Sequence, residues 1–192
     1  MKLGILGGTF NPIHNGHLLI AEEVRSYFHL DKILFIPTKS PPHKEFTPQV
    51  SDNHRIDMVQ RAIETNNHFS MSDIEINRGG VSYTIETIKA LYDQQTIEDR
   101  IYLIIGGDLI QDITSWRNYE ELIQLVNLVV VNRDEHLPKN YVDQFPYIFP
   151  LQTLNFSVTS TLIRERLSTG NSIKYLVPEL VEEYILKHQL YK

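Results

Sequence analysis

Apolar residues along the chain fall into short runs that alternate with stretches of helical spacing. Residues 2–6 read as a first strand, stopped by Gly7-Gly8. From about residue 17 to 28 the period changes, with Ile20, Val24 and Phe28 recurring on one helix face. Residues 32–36 form a second strand ended by Pro37, and the segment 38–48, with three prolines, must be a loop. Ser51 can cap a helix that carries Ile56, Val59 and Ile63 on one face. Residues 69–76 read as a third strand, and Gly79-Gly80 as a turn. The segment 84–92 is helical, with Ile85, Ile88 and Leu91 in register. Residues 101–105 are almost purely apolar, as expected of a strand covered on both faces, and 128–131 repeat that pattern. A shorter strand is expected at 147–149. Two helices end the chain, one starting near Ser160 and one with Pro178 near its first turn and Leu180, Val181, Tyr184 and Ile185 on its apolar side.

Strands alternating with helices imply βαβ units and a parallel sheet. The expected fold is α/β, a Rossmann-like doubly wound sheet with C-terminal helices. No internal repeat or linker interrupts it, so residues 1–192 are read as a single domain. Ligands of such sheets sit at the carboxyl ends of the strands. The segments to inspect are therefore 7–17, 37–44, 78–84, 106–116 and 132–133, and nearly every unusual residue of the chain falls in them.

Composition narrows the chemistry. The chain of 192 residues is 42% hydrophobic and 22% charged, ordinary values for a soluble globular protein. It has no cysteine, which excludes disulfides, zinc–thiolate sites, iron–sulfur clusters and thiol catalysis and fits a reducing cytoplasm. The N-terminal apolar stretch is too short and glycine-rich for a signal peptide, and no apolar run approaches the ~20 residues that span a membrane. A cytoplasmic location is expected. The formal net charge of −6 argues against a broad nucleic-acid surface. Any polyphosphate site must then be locally positive, or rely on backbone N–H groups and a divalent cation.

The segment Gly7-Gly8-Thr9-Phe10-Asn11-Pro12-Ile13-His14-Asn15-Gly16-His17 carries the strongest chemical signal. Two glycines after a strand permit a turn and a close approach of ligand to backbone. A helix starting near His17 adds free N–H groups and the positive end of its dipole. His14 and His17, three apart, can donate to phosphate oxygens and stabilise developing charge. Pro41-Pro42-His43-Lys44 is a stiff loop whose Lys44, with Lys39, either reaches over a triphosphate or is simply solvated. Gly106-Gly107-Asp108 puts small residues and a carboxylate after the most apolar strand. Trp116, the only tryptophan, either stacks on a flat heterocycle or anchors its loop to the core. Thr84, beside Tyr83, is a helix cap or a donor to a small carboxylate. Ser160 or Thr161 either simply caps the helix that starts there or, with Arg164, forms a second candidate phosphate site. There is no GxxxxGK[ST], no GxGxxG after the first strand and no GxSxG.

The 7–17 segment resembles the opening motif of bacterial nicotinate mononucleotide adenylyltransferases, and its HxGH core resembles the signature of the wider nucleotidylyltransferase superfamily. Pro37, Pro41-Pro42-His43-Lys44, Tyr83-Thr84, Gly106-Gly107-Asp108, Trp116, Val130-Val131-Asn132-Arg133 and 159–164 resemble further family elements in family order. The family's last motif commonly reads Ser-Ser-Thr-x-x-Arg. Here Thr159 replaces its first serine and keeps the hydroxyl.

The resemblance implies an adenylyltransferase that moves AMP from Mg-ATP to nicotinate mononucleotide, giving nicotinate adenine dinucleotide and pyrophosphate in NAD biosynthesis. It implies that His14 and His17 contact the ATP phosphates, with His17 stabilising the α-phosphate. Gly7, Gly8, Thr9 and Phe10 would meet the nucleotides through the backbone, and His43 and Lys44 would lie near phosphates. Gly106 and Asp108 would border adenosine, with Arg133 also on the ATP side. Tyr83, Thr84 and Trp116 would frame the nicotinate ring, and Ser160, Thr161 and Arg164 would hold the β- and γ-phosphates. Mg²⁺ would arrive with ATP rather than on a protein site, and a homodimer is left open. The competing readings are a relative that uses phosphopantetheine or nicotinamide mononucleotide, a nucleotide sensor without turnover, and an interaction module.

Overall fold

The computed structural model describes residues 1–42, 49–94, 96–97, 99–132, 147–154 and 157–192. Its elements are β1 (Leu3–Gly8), α1 (Asn15–Phe28), β2 (Lys32–Pro37), α2 (Asp52–Ile63), β3 (Phe69–Met71), α3 (Ile74–Arg78) and α4 (Thr84–Gln94), then β4 (Ile101–Gly106), a 3-10 helix (Gly107–Ser115), α5 (Tyr119–Leu125), β5 (Val126–Asn132), β6 (Ile148–Gln152), α6 (Ser160–Ser168) and α7 (Glu179–Lys187). The strands form one six-stranded sheet in the order β3-β2-β1-β4-β5-β6, with every pairing parallel. This is the expected doubly wound α/β arrangement, with its change of winding direction between β1 and β4.

Side chains of the central strands alternate strictly between two apolar layers. Leu6, Ile33, Phe35, Ile104, Val129 and Val131 join one layer with α1, α2, α6 and α7. Leu3, Ile5, Leu34, Ile36, Leu103, Ile105, Leu128 and Val130 join the other with α4, the 3-10 helix and α5. That two-sided burial is why the strand sequences read as unbroken apolar runs. Among the described residues no helix is long and apolar enough to cross a membrane.

Several boundaries depart from the sequence expectations. β1 is not stopped by its glycines: Gly7 and Gly8 pair with Ile36 and Pro37. α1 starts at Asn15 rather than near His17. The strand expected at 69–76 is only Phe69–Met71, followed by the single-turn α3. There the Thr87 hydroxyl donates to the buried Glu75 carboxylate at 2.8 Å, a partner in α4 that local alternation cannot reveal. Residues 107–115 form a 3-10 helix, whose threefold repeat stacks Ile110 and Ile113 into the core. The short α5 buries only Leu122 and so leaves no helical period in the sequence. Its ladder extends β5 to Val126–Asn132, and β6 lies at Ile148–Gln152 rather than 147–149.

Candidate active site

The sheet opens where its winding reverses. β1 pairs with β4 only through Gly4, Ile5 and Leu6, whereas its pairing with β2 continues through Gly8. β4 meanwhile follows β5 out to Gly106. The last residues of β1 and β4 thus diverge and leave a crevice at their carboxyl ends. Gly7 faces it: the glycine is exposed, and a Cβ there would meet no atom within 4 Å. By alternation along β1, Gly7 points to the α4 side of the sheet and Gly8 to the α1 side, where its Cβ would press on the Phe10 ring. Across the crevice, a Cβ on Gly106 would collide with the Asp108 carboxylate. Glycine at that position is what lets the exposed Asp108 fold back over the end of β4.

His14 and His17 meet at the start of α1, though not as two helical residues. His14 is the extended N-cap, with φ −147° and ψ 168°. Its backbone N–H donates to His17 Nδ1 at 3.2 Å, and the two rings stack with centroids 3.6 Å apart. Because Nδ1 of His17 accepts, the neutral ring carries its proton on Nε2, a donor-ready tautomer. The Phe10 ring meets His17 edge-on at 5.1 Å. The helix start is less open than expected: Asn15 N–H donates to Leu176 carbonyl at 2.9 Å, and His17 N–H to His14 carbonyl at 2.9 Å. Of the two imidazoles His14 is buried at 3% exposure and His17 is only half-buried, so His17, more than the free amides, is what this turn presents.

The loop between β1 and α1 is held from several sides. Phe10 has φ 45°, a left-handed value that is strained for a buried aromatic residue. Arg55 of α2, fully buried, donates to the carbonyls of Thr9 at 2.7 Å and Thr38 at 2.8 Å and to Asp52 Oδ1 at 2.6 Å. Asp52 also pairs with Lys39. Burial pushes the Asp52 carboxyl up, but the hydrogen bonds from Lys39 and Arg55 outweigh it and hold it below the usual carboxylate range. From α6, Ser160 Oγ donates to the Pro12 carbonyl at 2.8 Å and Arg164 to the Asn11 carbonyl at 2.8 Å. Arg164 also donates to Thr161 Oγ1 at 3.1 Å, and both residues line a cavity of about 650 Å³ with Tyr191 and Lys192. Thr159 caps α6, accepting from Leu162 N–H at 3.1 Å.

Tyr83 and Trp116 lie on the other side of the sheet, half-buried against the α4 layer. The Arg117 guanidinium sits 4.5 Å from the Tyr83 ring centroid and pairs with Glu86 at 3.2 Å. Thr84 opens α4, and the buried Ser82 ties this corner to the β2 loop, accepting from Lys39 N–H at 3.0 Å.

His43, Lys44 and Arg133 lie outside the described residues. Of the other candidates, the fold brings His14, His17, Phe10, Ser160 and Arg164 to the α1 side of the sheet and Tyr83, Thr84 and Trp116 to the α4 side. Asp108 stands at the end of β4. Arg55, Asn11 and Tyr191 were missed as site-forming residues. Arg55 occupies the helix face that Met58, Val59 and Ala62 also bury, and an arginine on an apolar face was the available signal. No comparable mark singles out Tyr191.

Among the described residues no group of three or more His, Asp or Glu side chains could hold a metal ion.

A family model described as cytidylyltransferase-like matches residues 5–166. A relative from Oceanobacillus iheyensis, described as a probable nicotinate-nucleotide adenylyltransferase, is 44% identical over 191 residues, covering 99% of this chain and 96% of its own. One from Geotalea uraniireducens with the same description is 42% identical over 213 residues, covering 100% and 98%. In fold, the chain is similar to a Plasmodium falciparum nicotinic acid mononucleotide adenylyltransferase complexed with NaAD, with a TM-score of 0.82 at 22% identity over 99% of this chain and 97% of that one. With whole-chain identity above 40% to such relatives and a family match over most of its length, the chain belongs to the cytidylyltransferase-like family and, within it, to the nicotinate-nucleotide adenylyltransferases.

Proposed function

We propose that the protein transfers AMP from ATP to nicotinate mononucleotide, forming nicotinate adenine dinucleotide and pyrophosphate. The observation that carries this reading is the split between β1 and β4, open over Gly7, with stacked imidazoles on the α1 side of the sheet and Tyr83 and Trp116 packed in the layer on its α4 side. On this reading the two nucleotides approach from opposite sides of the sheet and meet at that split. A 5′-phosphate oxygen of nicotinate mononucleotide attacks the α-phosphorus of ATP in line. The new P–O bond forms as the bond to pyrophosphate breaks. The attacking phosphate is already ionised, so no protein nucleophile is needed, and the work of the protein is positioning and electrostatic stabilisation.

In this reading His17 donates from Nε2 to the α-phosphate, and His14 supports it from the stacked position. Gly7, Gly8, Thr9 and Phe10 line the path of the phosphates. Asp108 and Gly106 border the adenosine. Arg164, Ser160 and Thr161 stand beside the β- and γ-phosphates, although in this structure Arg164 and Ser160 hold the carbonyls of Asn11 and Pro12. Mg²⁺ bound to the phosphates would neutralise the departing pyrophosphate. Tyr83 and Trp116 flank the nicotinate ring, with Thr84 and the first amides of α4 beside its carboxylate. A cytoplasmic enzyme of one domain fits this role.

The test is pyrophosphate release from Mg-ATP with nicotinate mononucleotide, run beside nicotinamide mononucleotide and phosphopantetheine. Fast release with the nicotinate substrate alone supports both reaction and specificity. Release only with another substrate rejects the acceptor named here, and ATP binding without any release rejects the enzyme.

A further inference from the structure

The far end of the chain reaches the middle of the opening loop. Tyr191 is buried, and its hydroxyl donates to Asn11 Oδ1 at 2.8 Å across 180 positions of sequence. Asn11 is itself 5% exposed, and its backbone carbonyl is the one held by Arg164. Side chain and main chain of a single loop residue are thus gripped by two separate elements.

The tail that delivers Tyr191 is bent to do so. After α7, Gln189 and Tyr191 adopt φ values of 54° and 64°, the left-handed region that side chains other than glycine and asparagine disfavour. Leu190 N–H donates to the Ile185 carbonyl at 3.0 Å and folds the tail back, and Leu190 is buried with Tyr191 in the α1-side layer. A strained backbone that places one hydroxyl on a buried amide is over-determined by its surroundings, a pattern common at functional sites. Burial holds the Tyr191 phenol well above its usual ionisation range despite the pull of Arg164 and Arg55, so the hydroxyl stays a donor at neutral pH.

We propose that Tyr191 is a positioning residue for adenylyl transfer: its hydrogen bond fixes Asn11, and so sets the path of the loop from Phe10 to His14 that places His17, with His14 stacked on it, at the reacting phosphate. The inference rests on the function proposed above. It assigns Tyr191 no contact with substrate and makes its effect act through loop geometry.

Tyr191→Phe removes the hydroxyl and keeps the ring. The matched control is Tyr92→Phe, which loses a hydroxyl donating to the Leu125 carbonyl at 2.7 Å and accepting from Ile101 N–H at 3.0 Å, at the opposite end of β4 from the crevice. Both variants are compared with the unsubstituted protein well below their melting temperatures. Tyr191→Phe should lower kcat about tenfold, the effect of leaving one buried acceptor unpaired, with KM for ATP moving less. Amide hydrogen exchange across residues 9–14 should speed up in Tyr191→Phe alone. Tyr92→Phe should lower the melting temperature and leave kcat and that exchange unchanged. Equal kcat in the two variants, or unchanged exchange at 9–14 in Tyr191→Phe, would overturn the inference. A wild-type protein that releases no pyrophosphate rejects the functional reading instead, and the exchange comparison still decides whether Tyr191 holds the loop.

Discussion

Replacing Arg55 by methionine removes, in one change, the anchor shared by the loops that follow β1 and β2. Three hydrogen bonds are lost, to Thr9 O, Thr38 O and Asp52 Oδ1 at 2.7, 2.8 and 2.6 Å. Each is charge-assisted, so the gross loss is roughly 5–9 kcal/mol. Against it stands the several kcal/mol that burying a guanidinium costs, which methionine does not incur. Methionine also fills most of the vacated volume, so the cavity contribution is small. Asp52 keeps Lys39 as a partner, whereas the two loop carbonyls each lose a donor. The net cost comes to about 3–4 kcal/mol, close to what breaking a buried pair usually costs. For a chain of this size that lowers the melting temperature by roughly 6–16 °C. Arg55→Lys keeps the charge but not the fork of donors, and should fall between. Thermal melts at neutral pH read stability, and steady-state pyrophosphate release well below the melt reads the site. The kcat/KM of Arg55→Met should fall further than its unfolded fraction explains. A melt within about 2 °C of wild type would refute the claim that Arg55 braces these loops.

The same geometry leads to three further outcomes. His17→Ala should cost ~10²-fold or more in turnover, as removing a donor from a developing oxyanion does; a loss under about threefold with folding intact would exclude the role given to Nε2. Gly106→Ala should push the Asp108 carboxylate off the end of β4 and raise KM for ATP while α4 and α5 stay packed, which paired kinetics and near-ultraviolet circular dichroism would check. Because the folded Asp52 carboxyl is held below its unfolded value of about 3.9, its contribution to stability is complete above that pH and is lost as pH falls through the lower folded value. Asp52→Asn should therefore flatten this acid limb of the stability curve, and identical limbs in wild type and variant would show that the pair does not couple to folding.

Much of the architecture was legible along the chain because its causes are local. The unbroken apolar runs at 101–105 and 128–131 could be satisfied only inside a sheet covered on both faces, and both became central strands. The fourfold spacing of Ile20, Val24 and Phe28 required a helix face, and Ser51 took the cap that its hydroxyl suits, whereas α6 is capped by Thr159 rather than by Ser160 or Thr161. The segment 69–76 failed for the opposite reason: its outcome depended on Thr87, a partner in another element.

The site divides the same way. Glycines after β1, paired histidines and hydroxyls at a helix start announce themselves in the sequence, since each residue type implies a backbone or hydrogen-bonding property of its own. The tertiary structure decided which side of the sheet each occupies, through the parting of β1 from β4 beyond Leu6. It also decided that His14 and His17 stack through a helix cap. Above all it decided what holds the loop between them. Arg55, Arg164 and Tyr191 lie 46, 153 and 180 positions from the carbonyls and the amide they grip. A hydrogen bond between residues so far apart leaves no period or spacing in the chain; only the closed fold brings its two ends together.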